Sequence, residues 1–146
     1  MIKKLKRFFS AEIRAYSRLV RGYRRRLAKQ ARNFLPYDWS YLHNMNVTML
    51  KFMLDYYKQG NNVWQTDETL LPIIDQIQLA LDKDTTIDNL LDEDFDVEYV
   101  KEADGRVTGV FPSDFTERYI ANEDAISQCY KDFYYIIGEH IEEWWD

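Results

Sequence analysis

Seven apolar residues recur at helical spacing along the first thirty positions of the chain. Successive members of this series are three or four residues apart, as one face of an α-helix requires. No proline precedes Pro36, and the interior Gly22 lowers helix stability by only about 1 kcal/mol relative to alanine. The pattern predicts one long amphipathic helix over residues 1–33. Its apolar series is Leu5, Phe9, Ile13, Tyr16, Val20, Tyr23 and Leu27.

Two further helices are predicted in the first half of the chain. Pro36 ends the first helix because proline lacks an amide donor, and a second helix follows from about residue 39 to Lys58. A third is expected to begin near Thr69, so that Pro72 falls in its first turn. Residues 82–96 are then predicted to form an acidic turn. The apolar series of the two helices are Leu42, Met45, Met49, Phe52, Met53 and Tyr56, and Leu70, Leu71, Ile73, Ile74, Ile77 and Leu81.

Residues 97–111 change from a helical to a two-residue apolar period. Asp104-Gly105 lies between the two runs, and Asp-Gly is typical of a type I′ hairpin turn. The pattern therefore predicts one β-hairpin. An isolated hairpin is only marginally stable in water, so we expect one of its faces to lie on the helices.

A last helix is predicted from an N-cap at Asn122, after a short helical turn over residues 115–120. Its apolar positions are Ile126, Cys129, Tyr130, Phe133, Ile137, Ile141 and Trp144. Tryptophans at a chain end that would otherwise fray indicate docking, so Trp144 and Trp145 are expected to contact the core or another chain. The fold class is thus mostly α (α+β). We expect a bundle of about four helices with one hairpin, divided into a basic helix (1–33) and an acidic body (34–146).

Charge is strongly segregated between these two parts. Residues 3–32 carry 12 bases and one acid, whereas the rest of the chain carries 7 bases and 24 acids. The role of the first helix is open to three interpretations. Its apolar side packs on the acidic body or on a second copy; its basic face holds a polyanion such as nucleic acid or a nucleotide; or the helix lies on a membrane surface.

Length and composition bound the class of protein. The chain has 146 residues, enough for one domain with a buried core, and 23 of them are Tyr, Phe or Trp. This aromatic excess favours a homo-oligomer. The single Cys129 is typical of a reducing compartment, so a cytoplasmic location is expected. No run of 18 apolar residues occurs, so no transmembrane segment is predicted, and we expect no secretion signal.

Candidate chemistry is sparse. Asp82, Asp84, Thr86, Asp88 and Glu93 match ligand positions of a calcium loop, but Ile87 stands where a glycine is needed, so a solvated acidic turn is favoured. His43 and His140 have no His or Cys partner at ligand spacing, and Cys129 is eleven residues from His140. No glycine-rich phosphate loop or nucleophile elbow occurs. We predict no catalytic residues, no metal and no cofactor.

The segment Phe34-Leu35-Pro36-Tyr37-Asp38, followed by an amphipathic helix, and the terminal Trp144-Trp145-Asp146 resemble small uncharacterised proteins encoded by bacteriophages. The likeness covers the body from about residue 34. It implies a phage accessory protein, and such proteins are commonly virion components, regulators, or inhibitors of host defence that bind without catalysis. The resemblance implies no particular activity.

These observations together predict a non-enzymatic phage accessory binding protein that associates with itself. Its basic helix would hold an anionic ligand, either a nucleotide signal or nucleic acid. One role of this binding would be to counter host defence. Two alternatives are an acidic inhibitor of a nucleic-acid-binding host protein and a structural virion protein. The predicted ligand contacts are Arg18, Arg21, Arg24, Arg25, Arg26, Tyr16 and Tyr23, and the predicted interface residues are Phe9, Val20, Leu27, Trp144 and Trp145.

Overall fold

The computed structural model describes the backbone of residues 2–32, 39–59 and 67–144, and within these ranges the side chains other than those of residues 2–13, 30 and 67. The described part of the chain contains four helices and one hairpin, which confirms the predicted fold class. The elements are α1 (Ile2–Arg32), α2 (Trp39–Lys58), α3 (Asp67–Leu91), β1 (Glu98–Lys101), β2 (Val107–Val110) and α4 (Phe115–His140).

Helix α2 lies at the centre of the fold and is apolar on two sides. One side carries Phe52 and Tyr56, which meet aromatic residues of α1. The other side is buried against α3 and α4 and includes Val47, Leu50 and Leu54. The predicted series followed mainly the first side, and its Leu42 is exposed. The apolar residues of the other side, Val47, Leu50 and Leu54, also recur at intervals of three and four residues. The sequence therefore contains a second apolar series, which the prediction of one amphipathic face did not include.

Helix α3 is longer than predicted at both ends. It begins at Asp67 rather than near Thr69, which places Pro72 in the second turn. It continues to Leu91, so most of the predicted acidic turn is helical. Ile87 is buried in the core and holds this last part of the helix in place. Because the calcium-loop positions up to Asp88 are helical, they do not form the loop that a calcium site of that type needs.

Helix α4 is one continuous helix from Phe115, so the predicted start at Asn122 was wrong. Asn122 lies inside α4, is buried, and donates a hydrogen bond from Nδ2 to the Leu90 carbonyl at 2.9 Å. Lys83 and Asp132 join α3 to α4 by an ion pair of 2.7 Å. The Lys83 ammonium lowers the pKa of the Asp132 carboxyl through this hydrogen bond. Asn122, which was predicted to cap a helix, thus connects α4 to the end of α3.

The hairpin is present, with a different turn and a different environment from those predicted. Gly105 has φ +85 and its amide bonds to the Glu102 carbonyl, while the Glu102 amide bonds to the Arg106 carbonyl. Asp104 has no positive φ, so this is a three-residue loop with a bulge at Gly105 and not a type I′ turn. The strand residues are exposed apart from a half-buried Gly109, so no face of the hairpin is covered by the helices.

The end of the chain is docked on its own core. Trp144 is only 2% exposed, donates a hydrogen bond from Nε1 to Gln76 at 2.9 Å, and accepts one at its carbonyl from the Tyr57 hydroxyl. Of the two expectations for Trp144, contact with the core is therefore the one observed. Trp145 lies outside the described residues. The core cluster comprises Val47, Leu50, Met53, Leu54, Tyr57, Leu70, Ile73, Ile77, Ala80, Leu81, Phe133, Ile136 and Trp144.

The position of Phe133 at the centre of this core yields a test of the packing. Phe133 is 0% exposed, whereas Tyr135 on the same helix is 67% exposed. Phe133→Ala is expected to lower the free energy of unfolding by about 3–5 kcal/mol, because it leaves a cavity. Tyr135→Ala should change it by less than about 0.5 kcal/mol. Urea denaturation of both variants measures the difference, and equal effects would contradict this placement of α4.

Candidate functional site: the cationic face of the first helix

Helix α1 lies on α2 through aromatic side chains. The rings of Tyr23 and Phe52 are 5.1 Å apart, and those of Tyr16 and Tyr56 are 5.8 Å apart, both edge to face. The two helices are antiparallel, since the later residue of α1 meets the earlier residue of α2. Among the described elements, α1 packs against α2 alone. The described part of the apolar side of α1, from Tyr16 to Tyr23, therefore packs within the chain, as the first of the three interpretations expected.

Tyr23 anchors this contact. Its side chain is 7% exposed and its hydroxyl donates a hydrogen bond of 2.7 Å to Oδ2 of Asp55. Burial, and then the Asp55 hydrogen bond and charge, raise the pKa of Tyr23 to about 12. The guanidinium of Arg26 lies 5.0 Å from the centre of the same ring. Tyr23 was predicted to contact a ligand, and the structure instead places it between two helices, where its ring has no free face for stacking.

Opposite Tyr23, α1 presents a row of exposed basic residues. They follow one another at intervals of 4, 3, 4, 4 and 3 residues, which brings about one cation per turn to the same side of a helix. With a rise of 1.5 Å per residue the row is about 27 Å long. We call it the cationic face, and its members are Arg14, Arg18, Arg21, Arg25, Lys29 and Arg32.

Three of the five predicted arginines, Arg18, Arg21 and Arg25, belong to the cationic face. Arg24 and Arg26 are exposed on its two borders, 100° from Arg25 in either direction. The prediction selected a dense cluster in the sequence and so missed Arg14, Lys29 and Arg32. Their helical spacing was the signal that would have found them.

Shallow open depressions run along α1 beside the cationic face. One, of about 400 Å³, is lined by Arg14, Ser17, Arg18 and Arg21. The next, of about 280 Å³, shares Ser17 and Arg21 and adds Tyr16, Val20 and Arg24. Ser17 was not among the predicted residues. Hydroxyl and guanidinium groups side by side are suitable donors for the oxygens of a phosphate.

Three arginines of the cationic face have no carboxylate close by in the part of the chain that the structure describes. Among the residues that the structure describes, no carboxylate is within 4.0 Å of the side-chain nitrogens of Arg18, Arg21 or Arg25. Helix α2, on which α1 rests, has two lysines and one aspartate, whereas α3 has six acids and one lysine. Since α1 touches α2 and α3 packs on α4, the described fold has a basic layer and an acidic layer.

A second polar cluster lies in the core, where sequence reasoning assigned His43 no ligand partner. His43 is buried, and its Nε2 is 3.0 Å from Oδ1 of Asp84, which also has Lys51 Nζ at 3.7 Å. Its Nδ1 is 3.4 Å from the Tyr134 hydroxyl. A hydrogen bond donated by Nε2 to Asp84 and one accepted by Nδ1 from the Tyr134 hydroxyl would satisfy both neighbours. With the ring of Phe133 at 4.6 Å, this cluster is a connection between α2, α3 and α4.

The remaining predicted interface residues lie on or near α1. Val20 and Leu27 are half-buried on the same side as Tyr16 and Tyr23. The side chain of Phe9 lies outside the described residues. No group of His, Cys, Asp or Glu in the described part of the chain is arranged to hold a metal ion.

Comparison with protein-family models, with curated proteins and with solved structures finds no match. The resemblance to phage-encoded proteins therefore stays a prediction. Among the described helices, none combines the length and the apolar character needed to cross a membrane.

The Tyr23 contact predicts a particular pH dependence of stability. Tyr23→Phe removes the hydrogen bond to Asp55 and is expected to lower the free energy of unfolding by about 1 kcal/mol at pH 8. The unfolded phenol loses its proton near pH 10.0, while the folded one keeps it to about 12. The stabilisation from Tyr23 is thus complete below pH 10 and is lost as the pH rises toward 12.

Urea denaturation of the wild type and Tyr23→Phe at pH 8, 10 and 11 tests this dependence. The difference between them should shrink above pH 10 by up to about 1.4 kcal/mol per pH unit. Tyr135→Phe, a change at an exposed tyrosine, should stay within about 0.5 kcal/mol of the wild type at pH 8. A constant difference between the wild type and Tyr23→Phe would contradict the described contact.

Proposed function

We propose that the protein binds the phosphate backbone of nucleic acid through the cationic face of α1, without catalysing a reaction. The observation that carries the proposal is a row of exposed basic side chains, about one per helical turn, on a helix fixed to the body by its opposite side. Exposed cations at regular spacing release counterions when they meet phosphates, and this supplies most of the affinity of sequence-independent binding.

The shape of the cationic face favours an extended polyanion over a single nucleotide. A site for a small ligand is usually concave and encloses most of the ligand, with aromatic or apolar walls. Here the depressions beside Arg18 and Arg21 are open, and Tyr23 is buried against α2, which leaves Tyr16, 43% exposed, as the one predicted tyrosine with a ring that reaches solvent. A straight row about 27 Å long runs past several phosphates of one strand, which are about 3.4 Å apart along the axis.

Arginine is well suited to this role. Its guanidinium is always charged and donates two parallel hydrogen bonds to phosphate oxygens. No described carboxylate competes for Arg18, Arg21 or Arg25. The contacts that these side chains offer are to phosphate, which positions a nucleic acid without reading its sequence.

The acidic layer does not prevent such binding. At physiological ionic strength charges are screened over about 8 Å, so a phosphate on the cationic face is affected mainly by the nearest groups. The nearest helix, α2, is close to neutral in formal charge. The acids of α3, α4 and the hairpin region keep nucleic acid to the α1 side of the molecule.

The salt dependence of binding tests the proposal. The triple variant R18Q/R21Q/R25Q removes three cations from the centre of the cationic face, and glutamine favours helices about as well as arginine. Binding of a labelled DNA duplex of random sequence, measured by fluorescence anisotropy over a range of salt concentrations, should weaken at every concentration. The slope of log K against log salt should fall by about 2.7, from about 0.9 per lost phosphate contact.

Two controls make this test specific. K101Q/R106Q/K131Q removes three exposed cations from outside α1 and should leave the slope close to that of the wild type. R18K/R21K/R25K preserves the charge and should preserve the slope, with weaker binding where arginine forks are used. Equal slopes for the wild type and R18Q/R21Q/R25Q would contradict the proposal. Binding of a free dinucleotide, and not of the duplex, to the same arginines would replace it with a nucleotide site.

A further inference from the structure

The hairpin and the segment that precedes it have aromatic and acidic side chains that are exposed in the described part of the chain. Tyr99 and Phe111 are 75% and 56% exposed. Around them, residues 92–104 carry seven acids and one lysine. We call residues 92–111 the acidic end. Its acids are Asp92, Glu93, Asp94, Asp96, Glu98, Glu102 and Asp104.

The exposed apolar side chains of the hairpin lie on both of its sides, with Tyr99 and Val107 on one and Val100 and Val110 on the other. Tyr99 is paired with Gly109, and Lys101 with Val107, and directly paired residues of antiparallel strands point to the same side. Gly109 has no side chain to cover Tyr99. An exposed apolar surface of this kind, on a hairpin that no helix supports, is typical of a docking surface.

The acidic end already holds an arginine of its own chain. The guanidinium of Arg118 lies 5.7 Å from the centre of the Phe95 ring. It is also 3.1 Å from Asp96 Oδ2 and 3.8 Å from Glu93 Oε1. A ring face combined with flanking carboxylates is a favourable environment for a guanidinium, because it provides both stacking and charge. This end of the molecule is therefore chemically suited to receive further arginines.

We propose that the acidic end binds the cationic face of α1 of a second copy of this chain. The cationic face offers the exposed Arg18, Arg21 and Arg25, which have no carboxylate partner among the described residues. The acidic end offers exposed rings and carboxylates, and the described ion pairs of those carboxylates are with Arg106 and Arg118. The two surfaces match in charge and in the affinity of guanidinium groups for aromatic rings.

The two surfaces do not meet within one copy in the described fold. Helix α1 packs on α2 alone, and the acidic end follows α3 and leads into α4. Each copy consequently keeps one basic and one acidic surface free, and a contact between unlike surfaces joins copies head to tail into a ring or an open chain. The net charge of −6 opposes this only weakly at about 0.1 M salt, where repulsion between whole molecules is screened beyond about 10 Å.

A charge-swap experiment tests the contact. The first variant, R18E/R21E/R25E, makes the cationic face negative. The second, D92K/E98K/E102K, makes the acidic end positive and spares the carboxylates that bind Arg118 and Arg106. All samples are treated with nuclease and freed of nucleic acid, so that bridging by a polyanion does not cause association.

Sedimentation velocity then measures association at low and high salt. The wild type should show a weight-average mass about twofold or more above the 17.6 kDa of one copy at about 20 mM salt, and return to one copy at about 0.5 M. Each variant alone should remain a single copy at low salt. An equimolar mixture should associate again, because the reversed surfaces of the two variants are opposite in charge and so are their unchanged surfaces.

Each contrary result overturns the proposal. A wild type that stays a single copy at low salt refutes it, and so does association of either variant alone to the wild-type extent. A mixture that fails to associate refutes it as well. Binding of an arginine-rich peptide to the acidic end of a wild type that does not associate would assign that surface to a different basic partner.

The inference does not rest on the proposed function, and the two fail separately. D92N/E98Q/E102Q removes the same carboxylates without adding a cation and retains the cationic face, so its binding to the DNA duplex reports on that face alone. Duplex binding without restored association in the mixture would leave only the proposed function. Restored association without duplex binding would leave only the contact between copies.

Discussion

The packing of Tyr23 against α2 determines which side of α1 faces water. Its ring meets Phe52 and its hydroxyl bonds to Asp55, and together these contacts fix the rotation of the helix about its own axis. Because basic residues alternate with apolar ones at helical spacing, fixing the apolar side also places the cations on the opposite side. Without this contact the cations of α1 would not form one surface in a fixed position on the fold.

The layered arrangement follows from the central position of α2. A helix that packs on both sides needs two apolar surfaces, and α2 has Phe52 and Tyr56 on one side and Leu50 and Leu54 on the other. Helix α2 also has few charges, and it lies between the basic α1 and the acidic α3. Opposite charges are thus held on different sides of one molecule, where they are available to partners.

The buried polar groups give this arrangement its specificity. His43 and Asp84 connect α2 to α3, Asn122 connects α4 to Leu90, and Trp144 and Gln76 hold the end of the chain on the body. Burying a polar group is unfavourable unless it is hydrogen-bonded, so these pairs favour one relative position of the helices over others. Only Asn122 Oδ1 is buried without a partner among the described side chains.

The sequence by itself determined the helical fold class, the hairpin, the continuity of α1 and the segregation of charge, because spacing and charge are properties of short segments. It did not show that Asn122 lies inside α4 or that Ile87 extends α3 through its acidic residues, since local signals for a cap or a turn were overruled by burial in the core. Of the residues that the sequence suggested for a ligand, Arg18, Arg21 and Arg25 lie on the cationic face, whereas Tyr23 lies between α1 and α2.

Only the tertiary structure decided what each surface meets. Tyr16 and Tyr23 of α1 pack on α2, His43 meets a carboxylate 41 residues away, and Tyr99 is exposed. The physical reason is that an amphipathic pattern specifies that a surface will be buried or exposed, whereas its partner depends on the packing of segments distant in the chain.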